Sequence, residues 1–130
     1  VCTVKTPLPD GSRGEWEAEA PDIREGLPKL IALGAPEELA ELVKAGVSPF
    51  CGARFTRLAK LLPTEDGTVE LALDQGVLLG VGREQPFAEM EVELKSGSDR
   101  GAEAFAQALA AEFGLSVQPK SKLARAMALA

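Results

Sequence analysis

The stretch that decides the fold is residues 86–95, Pro-Phe-Ala-Glu-Met-Glu-Val-Glu-Leu-Lys, in which charged and apolar side chains alternate. A β-strand turns successive side chains to opposite faces of its sheet. The stretch therefore predicts a strand with one apolar face and one face that carries Glu89, Glu91 and Glu93. Three carboxylates on one face repel one another unless water, basic side chains or a metal ion offset their charge. The simpler alternative is the solvated outer face of an antiparallel sheet.

The same alternation recurs in residues 14–20 and 68–74, where carboxylates again oppose apolar side chains. Amphipathic helices are predicted in residues 22–46 and after Ser98, and each could cover an apolar sheet face. The charged faces would then line a cleft, in which carboxylates could hold a divalent cation and basic residues could neutralise a bound phosphate. The carboxylates of these faces are Glu15, Glu17, Glu19, Glu70, Asp74, Glu89, Glu91 and Glu93, and the basic residues among them are Lys5, Arg57, Lys95 and Lys122.

For several segments the sequence allows more than one local structure. Residues 52–62 alternate, but either face could be the charged one. Asp74-Gln75-Gly76 has the composition of a turn and predicts a separate short strand at residues 77–81. Residues 121–127 fit either a short helix or a strand. Within the helical segment 22–46, which we expect to be an insertion between strands, Asp22 is a plausible N-cap and Pro28 predicts a kink or break.

Composition limits the possible functions. The chain has 130 residues, which suits one domain, and its net charge of −6 argues against a nucleic-acid binder. It contains no histidine, which excludes Ser-His-Asp catalysis and histidine-ligated zinc. Cys2 and Cys51 have no metal-ribbon spacing. Neither a membrane-spanning stretch nor a signal peptide is predicted, so we expect a cytoplasmic protein with no membrane partner.

Five blocks of the sequence resemble, in order and spacing, the bacterial CYTH domain, a family also called the triphosphate tunnel metalloenzymes. The resemblance runs over nearly the whole chain. Its most specific part is the block at residues 89–97 together with Leu73-Asp74-Gln75-Gly76. The five blocks are residues 13–19, Phe55-Thr56-Arg57, residues 69–76, residues 89–97 and Ser121-Lys122.

The resemblance implies an α+β fold, an eight-stranded antiparallel β-barrel with flanking helices, whose tunnel binds a triphosphate with Mg²⁺ or Mn²⁺. The implied function is metal-dependent hydrolysis of an inorganic or organic triphosphate, and the implied partner is a small molecule that contains one. A class IV adenylyl cyclase-like reaction is one alternative. The other is a non-catalytic module that binds polyphosphate.

The resemblance also suggests roles for individual residues. Arg57 resembles the first of two phosphate-binding basic residues, but the second would fall at Ala59, so Arg54 or Lys60 would have to replace it. Glu70 and Asp74, which the charged faces suggest, are weaker candidates for metal binding. The remaining assignments by resemblance are Glu15 and Glu17 as inward, catalytic glutamates, Lys5 and Lys122 as tunnel lysines that bind substrate, and Glu89 and Glu91 as the pair near the metal.

One element of the family pattern has no counterpart in these residues. The opening E-x-E-x-K strand and the arginine strands that follow it are absent from residues 1–130. We therefore expect residues 1–130 to be a single CYTH-like domain without its N-terminal strands, with an incomplete barrel. The open edge could pair with a second copy or with the missing segment. Alone, these residues are expected to have little or no catalytic activity.

Overall fold

Five strands and four helices follow one another along the 130 residues, all of which are described by the computed structural model. They belong to two units, Val1–Ser48 and Pro49–Ala130. The strands form a two-stranded sheet and a three-stranded sheet, both antiparallel. The predicted α+β class is thus confirmed. The strands do not close into a barrel, which stays a prediction, as does the single domain over residues 1–130.

The first unit contains a hairpin of β1 (Cys2–Pro7) and β2 (Arg13–Ala18). The predicted alternation is present, because Thr3 and Lys5 are exposed while Cys2 and Val4 are partly buried. The partly buried face packs against helix α1 (Ile23–Ala32), where the Cys2 side chain lies against Gly26. Helix α2 (Leu39–Lys44) follows.

Helix α1 begins as the sequence predicts. The Asp22 side chain accepts a hydrogen bond from the backbone N–H of Glu25 at 3.0 Å, which satisfies one of the free donors of the first turn. Leu27 and Leu30 are buried. The helix is not broken by Pro28 and continues to Ala32.

The second unit is built on three consecutive strands, β3 (Gly52–Pro63), β4 (Thr68–Gly80) and β5 (Arg83–Ser96), in the order β3-β4-β5. The turn predicted at residues 74–76 is wrong, since β4 runs through it without interruption. These residues pair with β3 on one side and with β5 on the other. Pairing on both sides satisfies the backbone of a central strand, and this outweighs the local preference for a turn.

The strand register decides which face of β3 belongs with the carboxylates. Arg57 lies directly opposite Asp74, which in turn lies opposite Glu89, so all three side chains are on one face of the sheet. We call this the acidic face. Arg54 and Lys60 are at alternate positions and lie on the other face.

Two helices complete the unit, α3 (Asp99–Phe113) and α4 (Lys122–Met127). Helix α4 packs on β3 and β4 and places its basic side chains against the acidic face. Of the two alternatives left open for residues 121–127, the helix is the one observed, and its ion pairs hold it on the charged side of the sheet. On the opposite face, Leu58, Leu73 and Met90 remain exposed.

The core of the second unit consists of small and aliphatic side chains. Val69, Ala72, Leu78 and Ala126 are buried, whereas the larger Phe55 is partly exposed. Aliphatic and small side chains therefore form the centre of this core. A large apolar side chain such as phenylalanine would be expected there, but Phe55 is not part of it.

Gly76, on the acidic face of β4, is expected to be required for strand packing. A Cβ atom here would collide with the carbonyl oxygen of Arg54 and lie 2.5 Å from Cα of Phe55. Gly76→Ala should reduce the free energy of unfolding by about 1–3 kcal/mol, the usual cost of overpacking. Gly52→Ala is the matched control, because a Cβ at Gly52 meets no atom within 4 Å. Equal urea denaturation midpoints for the two variants would contradict the prediction.

Candidate functional site

Six charged side chains on and against the acidic face contact one another, and we call them the charge cluster. Strand pairing places three of them in a row across the sheet, one on each strand. A fourth lies two residues along β5, and the last two come from α4. The cluster consists of Arg57, Asp74, Glu89, Glu91, Lys122 and Arg125.

Asp74 is the most enclosed member of the cluster, with a side chain that is 0% exposed. Arg57 donates from Nε to Oδ1 and from Nη2 to Oδ2, both at 2.7 Å. Nζ of Lys122 lies 2.9 Å from Oδ2. Two cationic side chains thus replace the water that would otherwise surround the carboxylate. Arg57 binds it in a bidentate geometry. Without such partners, a buried carboxylate would be strongly unfavourable.

These contacts shift the protonation equilibria of the pair. The hydrogen bonds from Arg57, supported by Lys122, lower the pKa of Asp74 to about 2 despite its burial. The same bonds raise the pKa of Arg57. Asp74 is consequently an anion at every ordinary pH.

Glu89 connects the two basic residues of α4. One carboxylate oxygen lies 2.6 Å from Nζ of Lys122, and the other accepts from Nη2 of Arg125 at 2.6 Å. Burial would raise the pKa of Glu89, but the hydrogen bonds from these two residues outweigh it and lower the pKa. Burial likewise opposes the charge of Lys122, and its carboxylate partners raise the pKa of Lys122 above the usual value.

Glu91 forms the open side of the cluster, with a side chain that is 46% exposed. It accepts a hydrogen bond from Nη2 of Arg57 at 3.0 Å and contacts Nζ of Lys122. Oxygen atoms of Asp74, Glu89 and Glu91 all lie within 4.8 Å of one another, so this acidic group could bind a metal ion. Hard oxygen donors of this kind fit Mg²⁺ or Mn²⁺.

Two aromatic rings lie beneath the basic side chains. Phe55 on β3 and Phe87 on β5 face each other across Gly76, with ring centroids 5.7 Å apart in an edge-to-face arrangement. Nζ of Lys122 lies 5.1 Å from the centroid of Phe55 and 5.9 Å from that of Phe87. At these distances the rings attract the ammonium group.

Some residues of this site were named as candidates from the sequence, and others were missed. Arg125 was not predicted, because it joins the cluster only if residues 121–127 are helical, which brings positions three apart to one side. The Ser121 hydroxyl, which accepts from the N–H of Ala124, was the available signal for that helix. Phe87 was also missed, although it alternates in phase with Glu89 and Glu91.

Other predicted site residues lie outside the cluster. Glu70 is on the acidic face and raises the pKa of Arg57 only as a minor contributor. Lys5, Glu15 and Glu17 belong to the hairpin of the first unit, where Nζ of Lys5 lies 3.7 Å from an oxygen of Glu15 and both side chains are more than half exposed. Their roles stay predictions.

Neither candidate for the missing second basic residue of β3 reaches the cluster. Arg54 lies on the opposite face of the sheet, where it is 3.7 Å from Glu84. Lys60 is on that same opposite face. The second cation beside Asp74 is instead Lys122 of α4.

Comparison with known proteins matches the chain to a family model and to curated proteins. The family model described as CYTH domain matches residues 1–127. An inorganic triphosphatase of Haemophilus influenzae is 28% identical over 127 residues, which are 96% of this chain and 36% of that protein. The chain thus spans about a third of the length of this relative. No solved structure matches. None of the helices has the length and apolar composition needed to span a membrane.

Asp74 should make the free energy of unfolding depend on pH between about 4 and about 2. Because its folded pKa lies below the ordinary value of 3.8, the unfolded chain binds the proton first as the pH falls. The stabilisation is complete above about pH 4 and is lost toward pH 2, and it amounts to roughly 2 kcal/mol. Urea unfolding at pH 5 and at pH 2.5 measures the loss.

In this experiment Asp74→Asn should show a smaller loss between the two pH values than the wild type. Glu112→Gln, which changes an exposed acid on α3, is the control and should behave as the wild type. Equal losses for Asp74→Asn and Glu112→Gln would contradict the prediction.

Proposed function

This chain belongs to the CYTH domain family, and on that premise we propose that it supplies part of a site for metal-dependent hydrolysis of a triphosphate. The relative named inorganic triphosphatase supports inorganic triphosphate as the substrate class. The observation that carries the proposal is the convergence of Asp74, Glu89 and Glu91 beside Arg57 and Lys122 on one sheet face.

The three carboxylates are the residues that would hold Mg²⁺ or Mn²⁺. Asp74 and Glu89 are held in place by Arg57 and Arg125, whereas Glu91 is the most accessible of the three. A bound divalent cation would neutralise phosphate charge and activate water for attack on phosphorus.

Arg57 and Lys122 are the residues that would bind the phosphate oxygens. The planar guanidinium of Arg57 has five N–H donors, and a phosphate can accept two of them in parallel. Lys122 offers a compact charge on a flexible stem. Preorganised cations of this kind stabilise the charge that develops on a transferred phosphoryl group. Arg125 acts by orienting Glu89.

The residues of the first unit enter the proposal through the family resemblance. Glu15 and Glu17 are proposed as catalytic carboxylates and Lys5 as a further phosphate-binding residue. They share one face of the hairpin, on which Lys5 is directly opposite Glu15. This is the same alternation of acid and base that the second unit shows on β3, β4 and β5.

A second candidate is a module that binds polyphosphate without turnover. It is favoured by the charge balance of the cluster, in which three carboxylates already pair with three basic side chains. Such a cluster can bind an anion through its cations without any catalytic step. Phosphate release distinguishes the candidates: turnover by the protein that contains these residues supports the hydrolase, and binding without turnover supports the module.

Arg57→Ala should weaken the binding of triphosphate about 10-fold or more, because a hydrogen bond to a charged group contributes about 1.5–3 kcal/mol. Calorimetry with Mg²⁺ and triphosphate measures the change. Lys60→Ala removes a basic residue of the same strand from the opposite face and should bind as the wild type does. If both variants bind equally, Arg57 does not contact phosphate.

Glu91→Gln should lower the affinity for Mn²⁺, since it removes one ligand charge and keeps the side-chain size. Glu91 is partly exposed, so the fold should tolerate this change. Glu93→Gln is the control, because Glu93 is 63% exposed and lies outside the acidic group. Unchanged Mn²⁺ affinity in Glu91→Gln would exclude Glu91 as a ligand.

A further inference from the structure

The ammonium group of Lys122 lies where the three carboxylates of the acidic group converge. Nζ is 2.9 Å from Asp74 and 2.6 Å from Glu89, and it also contacts Glu91. These are the same carboxylates whose oxygens lie within 4.8 Å of one another. A cation bound by all three would take the position of Nζ. The ammonium and a metal ion therefore cannot both use the full set of oxygens.

We propose that Lys122 competes with the divalent cation for these carboxylates, and that a triphosphate relieves the competition by drawing the ammonium group to its own oxygens. The inference rests on the proposed function and adds a regulatory property to it. Metal and triphosphate bind cooperatively, each increasing the affinity for the other. By linkage, the two increases are equal.

The charges of the cluster support this coupling. Its three carboxylates are balanced by the guanidinium groups of Arg57 and Arg125 and the ammonium group of Lys122. A divalent cation alone adds two positive charges to a balanced cluster, and a triphosphate alone adds several negative ones. The two ligands have opposite charges and attract each other when both are bound, so each ligand lowers the electrostatic cost of the other.

The structure also allows Lys122 to exchange partners while α4 stays in place. Arg125 still bonds Glu89, and Ala126 is buried against the sheet, so the helix has two further anchors. The lysine stem is long and flexible. The rings of Phe55 and Phe87, 5.1 and 5.9 Å away, continue to attract an ammonium group that has left the carboxylates.

The test compares Lys122→Met with wild type and with Lys120→Met, which removes an exposed lysine outside the cluster. Calorimetric titration with Mn²⁺, without any phosphate, should give about 10-fold tighter binding to Lys122→Met than to the other two proteins. A coupling of this size is typical between linked sites. Thermal unfolding checks that each variant is folded.

The second measurement adds imidotriphosphate, a triphosphate analogue that resists hydrolysis. It should increase the Mn²⁺ affinity of wild type and of Lys120→Met by about 10-fold more than that of Lys122→Met. The binding of Mn²⁺ to the analogue in solution is the same for all three proteins and cancels in this comparison. Equal effects on the three proteins would overturn the coupling.

A third measurement needs no variant of the site. In wild-type protein with ¹⁵N-labelled lysine, saturating Mg²⁺ should shift the ammonium resonance of Lys122 and leave that of Lys120 unchanged. An unshifted resonance would overturn the competition.

The outcomes separate this inference from the proposed function. If Lys122→Met and wild type bind Mn²⁺ equally, while Asp74→Asn does not bind it, the metal site stands and the competition is wrong. If none of the proteins binds Mn²⁺ or Mg²⁺, the metal site fails and the inference fails with it.

Discussion

A carboxylate that is buried in the middle strand of a sheet must have cationic partners, and in the second unit these come from two directions. Arg57 reaches Asp74 from β3, and Lys122 reaches it from α4. A slip of one residue in the pairing of β3 would turn Arg57 to the opposite face and leave the carboxylate without its bidentate partner. This one charge thus favours the observed strand register, and its contact with Lys122 is one of the interactions that hold α4 against the sheet. Removal of one partner of a buried pair typically costs several kcal/mol, which shows how strongly the charge constrains the fold.

The period-2 pattern of residues 86–95 allowed the acidic face to be predicted, because the alternation of side chains along a strand is a local property. It could not show how the strands pair. The Asp-Gln-Gly segment at residues 74–76 has turn composition, and only its two neighbouring strands keep it extended. The side of the sheet that α4 occupies could not be predicted from the sequence either. The helix is placed by ion pairs with residues 31 to 48 positions away in sequence. Arg125 was missed for the same reason.

The candidate site was predicted to a different extent in the two units. In the second unit, Arg57, Asp74, Glu89, Glu91 and Lys122 were all selected as candidates, and the structure brings them into direct contact. Periodicity suggested which of them share a face, and the family resemblance gave Lys122, already a candidate by its charge, the role of a tunnel lysine. In the first unit, the alternation of Glu15 and Glu17 is present as expected. Only the family resemblance gives these residues a role. The alternation shows which side chains share a face of the hairpin, but not what that face binds.

The order of the elements along the chain has a consequence for the time course of folding. Strands β3, β4 and β5 are consecutive and joined by short turns, so Arg57 and Asp74 are only 17 residues apart. Contacts at short sequence separation require little loop closure and form early. Helix α4 follows α3 and is too short to be stable in isolation. The refolding chain is therefore expected to bring its acids together before the lysine and arginine of α4 arrive, and to complete the charge balance of the cluster as a late step.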